Sequence, residues 1–253
     1  MRVSRIAPTA CAWLVVVLAL GPWPCATTLA ANRDALRTIV QSQCLPHWLQ
    51  DHDPAPCRSV GLPSGDDAGH GYALLHDILG GAHYLLIATG EISGIESPAL
   101  YGAGEPNYFE AAWQARESLA AELGRPVPDE AVALAVNSQR ARTQDRLHVH
   151  ISCQLPSVHA ALARMAGQIG NVWTPIVLST GPYQALRVMG TNLVGNDPFA
   201  LLAQLPGSER DRGGHVLLVA AMHFSVGPGF IVLTGVDVPG SAMLLDDQCA
   251  LAH

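Results

Sequence analysis

The sequence predicts an α+β domain with a mainly antiparallel sheet and packed helices. The apolar runs Tyr72–Ile78 and His83–Ala88 flank a Gly-Gly pair, which is typical of a β-hairpin. The runs Val216–Phe224 and Phe230–Leu233 flank a Gly-Pro-Gly turn in the same way. Helical periodicity lies between these strand pairs, so strands with hairpin connections alternate with helices.

The remaining elements follow from periodicity and from breaking residues. Helices are predicted over Asp34–Cys44, Tyr108–Leu123 and from Ser157 to about Ile169, and further strands over Ala131–Val136 and Arg146–Cys153. Leu45–Gly71 and Gly90–Pro106 are predicted to be loops. We expect the Gly- and Pro-rich stretch Trp173–Tyr183 to loosen the last third of the chain.

Composition excludes several classes of protein. All 14 basic residues are arginines, so there is no lysine for a Schiff base, a pyridoxal-phosphate anchor or a Walker A motif. The 21 acidic residues give a net charge of −7, which disfavours a general nucleic-acid binder. Any phosphate must therefore be bound by arginine, histidine, polar side chains, backbone amides or a metal.

The N-terminus has the pattern of an export signal. No charged residue lies between Arg5 and Arg33, and the apolar stretch Ala12–Leu20 is followed by small residues that permit cleavage after Ala30. The 21 uncharged residues from Ile6 to Ala26 are also long enough for a retained anchor. We therefore predict a signal peptide or membrane anchor over residues 1–30 and one domain over residues 31–253.

Four of the six cysteines follow this segment, namely Cys44, Cys57, Cys153 and Cys249. In an oxidising compartment they predict up to two disulfides, with three possible pairings. Their spacing fits no zinc-finger pattern.

The most informative segment is Arg146–Cys153. Strand periodicity places His148, His150 and Ser152 on one face and the alternating apolar residues on the other. We expect the apolar face to pack on helices and the polar side chains to converge on the exposed face.

Further polar residues precede this strand. Asn137 lies eleven residues before His148, and Gln144 lies in the intervening loop with Arg140 and Arg142. Amides, imidazoles and guanidinium groups thus gather at one end of a two-strand unit. This predicts a site for an anion with a reactive centre.

Three interpretations compete for the two histidines. They could be half of a zinc or copper site completed by His215 and His223, although no local spacing selects that pair. They could simply be hydrogen-bonded on a solvated strand. Alternatively, one imidazole attacks phosphorus while neighbouring donors neutralise phosphate charge. We favour this last interpretation because it also accounts for the amides and arginines.

The segment resembles the histidine-triad superfamily of nucleotide hydrolases and transferases, whose motif alternates histidine and apolar residues. Ser152 stands where the third histidine usually falls. The chain is more similar to one branch, the bacterial CDP-diacylglycerol pyrophosphatases, in which the motif also ends in His-Ile-Ser-Cys. Further matching stretches are Cys44-Leu45-Pro46, Glu96-Ser97-Pro98, Trp113-Gln114-Ala115-Arg116, Pro126-Val127-Pro128-Asp129, Arg142-Thr143-Gln144 and Gln248-Cys249.

The resemblance implies a histidine-triad-like fold and hydrolysis of CDP-diacylglycerol to phosphatidate and CMP. His150 matches the nucleophile, which would form a nucleotidyl-histidine intermediate, and His148 matches the histidine that orients and hydrogen-bonds. The superfamily needs no metal or other cofactor for this step.

The resemblance also implies roles for five further residues. Asn137 and Gln144 match polar groups near the phosphates, and Ser152 and Arg142 are candidate substrate contacts. Asp77 resembles the acidic residue that contacts ribose hydroxyls.

The implied partners are CDP-diacylglycerol and a membrane surface, with no nucleic acid, and a homodimer is an option. The implied location is the periplasmic face of the bacterial inner membrane, or the periplasm after cleavage. The alternatives are a histidine-triad hydrolase or transferase of a soluble nucleotide conjugate, and a non-enzymatic periplasmic nucleotide- or metal-binding protein.

Overall fold

A computed structural model describes residues 32–63, 67–78 and 80–253. Within them the strands are β1 (Ser59–Gly61), β2 (Tyr72–His76), β3 (Tyr84–Ala88), β4 (Val132–Val136), β5 (His148–Gln154), β6 (Thr174–Leu178), β7 (Gly181–Met189), β8 (His215–Phe224), β9 (Gly227–Val236) and β10 (Leu245–Asp246). The helices are α1 (Ala35–Ile39), α2 (Leu45–Asp51), α3 (Tyr108–Gln114), α4 (Glu117–Leu123), α5 (Pro156–Met165) and α6 (Pro198–Ala203). The predicted N-terminal segment lies outside the described residues.

The strands form one sheet in the order β1-β2-β3-β5-β4-β8-β9-β7-β6, and β10 pairs with the end of β5. The pairs are antiparallel throughout the described sheet. Both predicted hairpins are present, as β2–β3 and β8–β9. The prediction of an α+β fold with a mainly antiparallel sheet is confirmed.

One face of the sheet, which we call the continuous face, is covered by a single apolar core. Val149 and Ile151 of β5 belong to it, together with Phe109 and Trp113 of α3 and Phe199 of α6. Because side chains alternate along a strand, the odd-numbered residues of β5 point to this face. These residues therefore bind the central strand to the helices.

The opposite face, which we call the divided face, carries two separate apolar clusters. One joins Ala135 of β4 to Leu162 of α5, and the other joins Leu85 and Ile87 of β3 to Leu36 of α1. The even-numbered residues of β5 point between these clusters. The divided face thus has a polar gap between two packed regions.

The cysteines form two disulfides, Cys44–Cys57 and Cys153–Cys249. This confirms the predicted number and selects one of the three pairings. The first disulfide joins the π-helical turn Val40–Cys44, which connects α1 to α2, to the loop before β1. The second joins β5 to the C-terminal turn, within the core of the continuous face.

The helix boundaries differ from the prediction at three points. Helical structure continues from α1 through α2, so a loop from Leu45 was wrong; Pro46 lies in the first turn of α2, where its missing N–H is tolerated. The helix predicted over Tyr108–Leu123 is divided at Ala115–Arg116 into α3 and α4. Helix α5 begins at Pro156, with Leu155 at the capping position, and ends at Met165.

The expectation of a loosened stretch at Trp173–Tyr183 was wrong. These residues form β6 and the start of β7, which pair with each other. Pro175 lies in β6, which is the edge strand of the sheet. Proline has no backbone N–H, but an edge strand has no neighbour on its solvent side that would need this donor. Pro175, which would disfavour a central strand, is therefore compatible with an edge strand.

Among the residues that the structure describes, no helix has both the length and the apolar character needed to cross a membrane.

Candidate active site

A cleft of about 680 Å³ opens on the divided face beside β5. Its polar lining comprises His76, Asp77, Thr143, Gln144, His148 and His150. Its apolar lining includes Leu36, Ile39, Pro56, Leu75, Ile78 and Leu85. Four of the predicted site residues therefore line the cleft, whereas Asn137, Arg142 and Ser152 are not part of its lining.

The strand pairing determines how the two histidines are presented. His150 pairs with Leu85 of β3 on one side and with Ala135 of β4 on the other, whereas His148 pairs with Ile87. Both histidines are less than a tenth exposed, so the expectation that this face is exposed was wrong. The cause is that α1 and its cluster cover the β3 side of the face.

A third histidine completes the cluster. His83 Nε2 lies 2.9 Å from His150 Nδ1, and His83 Nδ1 lies 3.5 Å from a carboxylate oxygen of Asp77. The turn before β3 brings these side chains together, because the Asp77 N–H donates to the His83 carbonyl across Gly80 and Gly81, which both adopt positive φ. Asp77, His83 and His150 thus form a chain of polar groups that ends in the cleft.

The contacts of this chain determine the imidazole tautomers. A carboxylate only accepts hydrogen bonds, so Asp77 favours a proton on His83 Nδ1. Neutral His83 then accepts at Nε2 from His150 Nδ1–H, and the lone pair of His150 is left on Nε2. His148 is fixed separately, because its Nδ1 donates to the Arg146 carbonyl at 2.7 Å.

Burial keeps these imidazoles uncharged. It lowers the pKa of His150 well below the ordinary 6.5, and the neighbouring His148 and His83 lower it further. Burial also lowers the pKa of His148, against the opposing effect of the hydrogen bond to Arg146. The pKa of His83 is lowered by burial as well, although Asp77 and Asp247 act in the opposite direction. The imidazole of His150 is therefore uncharged at neutral pH.

Asn137 lies on the other side of His150. Its amide nitrogen is 3.4 Å from His150 Nε2, and its Oδ1 accepts from the backbone N–H of Ala242 at 3.1 Å. The Ala242 contact orients the amide so that its N–H₂ group is directed to the imidazole nitrogen that carries the lone pair. This arrangement presents a donor where oxygens of a bound phosphate would lie.

Gln144 and Ser152 are engaged with the protein backbone. Gln144 Oε1 accepts from the Leu36 N–H at 3.1 Å, and its Nε2 donates to the Asn32 carbonyl at 3.0 Å, which fixes the start of α1. Ser152 Oγ lies 2.8 Å from the Ala82 carbonyl. Ser152 therefore holds the residue that precedes His83 against β5.

Arg142 is paired with two acidic residues. Its guanidinium contacts carboxylate oxygens of Glu96 and Asp145, and only about a twentieth of its side chain is exposed. Burial raises the pKa of Glu96, but the hydrogen bonds from Arg142 and Ser93 outweigh this effect and lower it. Glu96, for which the sequence indicated no role, thus holds Arg142 in place.

The other arginines of the loop are paired in the same way. Arg140 contacts Asp211 and Asp237, and Arg146 contacts Glu91 and the Gly90 carbonyl. The described cleft therefore presents imidazole and amide groups to an anion, while the arginines hold the surrounding loops.

Comparison with known proteins identifies the family. The family model described as CDP-diacylglycerol pyrophosphatase matches residues 31–253. A protein from Yersinia pestis named CDP-diacylglycerol pyrophosphatase is 43% identical over 195 residues, which cover 76% of this chain and 73% of that protein. The chain belongs to the CDP-diacylglycerol pyrophosphatase family.

For this family member, sequence reasoning missed His83. The alternation of side chains along β3 could have indicated it. His83 is two residues before Leu85 and four before Ile87, so it lies on the same face as these residues, which is also the face of His148 and His150. Using that signal required the register of β3 against β5, which the sequence does not provide.

The metal alternative placed His215 and His223 with the cluster. In the structure His215 Nδ1 is 2.8 Å from Thr234 Oγ1, and His223 is exposed on β8. Among residues 32–63, 67–78 and 80–253, no group of three or more His, Cys, Asp or Glu side chains is arranged to hold a metal ion. The direct contact between His83 and His150 instead suits proton sharing.

Proposed function

We propose that this protein hydrolyses CDP-diacylglycerol to phosphatidate and CMP by two displacements at His150. Family membership over residues 31–253 supports the substrate and the reaction. The observation that supports the nucleophile is the 2.9 Å contact between His150 Nδ1 and His83, because it leaves the lone pair of His150 on Nε2.

In the first displacement, the Nε2 lone pair of His150 attacks the phosphorus that carries the cytidine. The bond from this phosphorus to the bridging oxygen breaks, and phosphatidate leaves with the electron pair. The ring of His150 becomes cationic as the N–P bond forms. His83 and the Asp77 carboxylate stabilise this cation through the Nδ1 proton.

In the second displacement, water attacks the same phosphorus and the N–P bond breaks, so the electron pair returns to His150 and CMP is released. His148 donates at Nδ1 to Arg146, so its Nε2 carries a lone pair and can accept the proton of the attacking water. Asn137 donates to the phosphoryl oxygens, on which negative charge develops. Removal of one such donor typically costs about a hundredfold in rate.

The remaining predicted contacts are part of the same proposal. We assign Asn137 and Gln144 to the phosphate side of the substrate. Arg142 and Ser152, which were predicted to contact the substrate, hold the loop before β5 and the residue before His83 instead. Asp77 acts through His83 in this mechanism, and contact with the ribose is its alternative role.

We also propose that the protein acts outside the cytoplasm, at the periplasmic face of the inner membrane or in the periplasm. Two disulfides support an oxidising compartment. The charge-free N-terminal stretch supports export and a membrane surface as partner. Mass spectrometry of the mature N-terminus distinguishes a cleaved signal from a retained anchor, and light scattering tests the homodimer.

The test of the reaction uses the purified protein and CDP-diacylglycerol in detergent micelles. Release of CMP and phosphatidate by the wild type, unaffected by a chelator, is the expected result, because the mechanism calls on no metal. If the wild type cleaves a soluble nucleotide conjugate but not the lipid, the substrate assignment is wrong. Loss of activity with the chelator would favour the metal alternative.

A further inference from the structure

We propose that the apolar end of the cleft binds the glycerol backbone and first acyl carbons of the substrate's diacylglycerol part. This inference rests on the function proposed above. It assigns the lipid site to a surface formed by Leu36, Ile39, Pro56, Leu75, Ile78 and Leu85, which we call the acyl wall.

The acyl wall is built by five segments beside the histidines. Leu36 and Ile39 come from α1, and Leu75 and Leu85 come from the paired strands β2 and β3. Pro56 is in the loop held by the Cys44–Cys57 disulfide. Ile78 lies on the turn between β2 and β3 and completes the apolar lining.

The acyl wall is continuous with the reacting centre. Leu85 is directly opposite His150 in the sheet, and adjacent strands lie about 5 Å apart. Asn137, by contrast, reaches His150 from the β4 side. A substrate with its phosphorus at His150 Nε2 thus finds apolar surface on the β3 side and an amide donor on the β4 side.

The volume of the cleft suits part of the lipid. About 680 Å³ lies within the range of roughly 300–1,000 Å³ for small-molecule sites. This space holds the head of a diacylglycerol, and the ends of the acyl chains then remain in the membrane or micelle.

Ile78 marks the mouth of the acyl wall. Its side chain is 97% exposed, although it is large and apolar, and it lies on the turn that presents Asp77 to His83. A lipid surface at the mouth would bury it, as apolar side chains at interfaces are buried. The exposed turn and the apolar cleft thus point to the same occupant, which is the lipid end of the substrate.

The test compares Ile78→Ser with Ile78→Leu in steady-state kinetics on dihexanoyl and dioleoyl CDP-diacylglycerol. Since burial of an isoleucine corresponds to about tenfold or more in a binding constant, we expect Ile78→Ser to raise KM about tenfold for both lipids. The value of kcat should change little, and Ile78→Leu should behave as the wild type. Inhibition by CMP, which has no lipid part, should be unchanged.

The matched control is Val226→Ser. Val226 is also exposed, at 74%, but it lies on the β8–β9 turn and does not line the cleft, so its KM should match the wild type. An unchanged KM in Ile78→Ser, or an equal loss of CMP inhibition, would overturn the acyl wall. If the wild type releases no CMP from either lipid, the proposed function itself fails and the acyl wall fails with it.

Discussion

The two faces of the sheet place opposite demands on the same strand. On the continuous face, Val149 and Ile151 are fully buried in one apolar core. On the divided face, His148 and His150 are almost as buried, but each depends on a polar partner. Since a buried polar group is costly unless it is hydrogen-bonded, His148 and His150 can be buried there because Arg146 and His83 supply those bonds.

The difference shows how an active site fits within a packed sheet. The continuous face holds the strand through burial, at roughly 1.5–3 kcal/mol for each large apolar side chain. The divided face can then be interrupted between its two apolar clusters without loss of the fold. Substitutions of odd-numbered residues of β5 should therefore lower stability, whereas substitutions of its even-numbered residues should lower activity.

The largest effect is expected from a pair of substitutions on adjacent residues. His150→Ala removes the nucleophile, so CMP release should fall below detection while the urea midpoint changes little. Ile151→Ala should cost about 2–5 kcal/mol of unfolding free energy, because it leaves a cavity in the continuous core, yet it should retain turnover in the folded protein. If His150→Ala keeps full turnover, His150 is not the nucleophile.

The second prediction compares the two disulfides. Cys153–Cys249 closes a separation of 96 residues in the continuous core, and Cys44–Cys57 closes one of 13 beside the cleft. Because closure of a longer loop removes more entropy from the unfolded chain, replacing Cys153 and Cys249 by alanine should cost about 4–5 kcal/mol. The same change at Cys44 and Cys57 should cost about 3 kcal/mol. Equal losses in urea unfolding would mean that loop closure does not determine the difference.

The sequence predicted the continuous face better than the divided face. Alternation along β5 and the helical stripe of Phe109 and Trp113 depend on local periodicity, and the structure packs them together. The division of the opposite face depends on which strands neighbour β5. The pairing of β4 with β5 was expected from their succession, but the chain order gives no sign that β3 lies on the other side of β5, and for this reason His83 was missed while His148 and His150 were found.

Ion pairing was also outside the reach of the sequence. Arg142 was predicted near phosphate from its position in a matching stretch, but the carboxylates that contact it, Glu96 and Asp145, lie 46 and 3 residues away in sequence. Only the folded structure shows that these two carboxylates already neutralise the positive charge of Arg142.

The third prediction concerns the support of the nucleophile. His83→Ala should lower kcat about a hundredfold with little change in KM, because His83 acts through His150 rather than on the substrate. The control is His70, whose Nδ1 contacts a carboxylate oxygen of Asp67 at 2.8 Å, as His83 Nδ1 contacts Asp77. This pair is exposed, and His70→Ala should leave kcat unchanged. A rise in KM at constant kcat in His83→Ala would instead indicate that His83 binds the substrate directly.

The smallest expected effect is the pH dependence of stability that His150 of the divided face contributes. The pKa of His150 is below 6.5 in the folded protein, so as pH falls below 6.5 the unfolded chain binds the proton first. The free energy of unfolding should therefore decrease with falling pH, by up to about 1.4 kcal/mol per unit for each such histidine, until the folded form is protonated. Urea unfolding between pH 7.5 and pH 5.5, a range chosen about the ordinary histidine pKa, measures this slope.

His150→Gln should reduce the slope by about one proton. Ile151→Val should instead lower stability equally at every pH, because the continuous core contributes burial and no titrating group at that position. An equal slope in wild type and His150→Gln would show that the lowered pKa of His150 is not linked to folding.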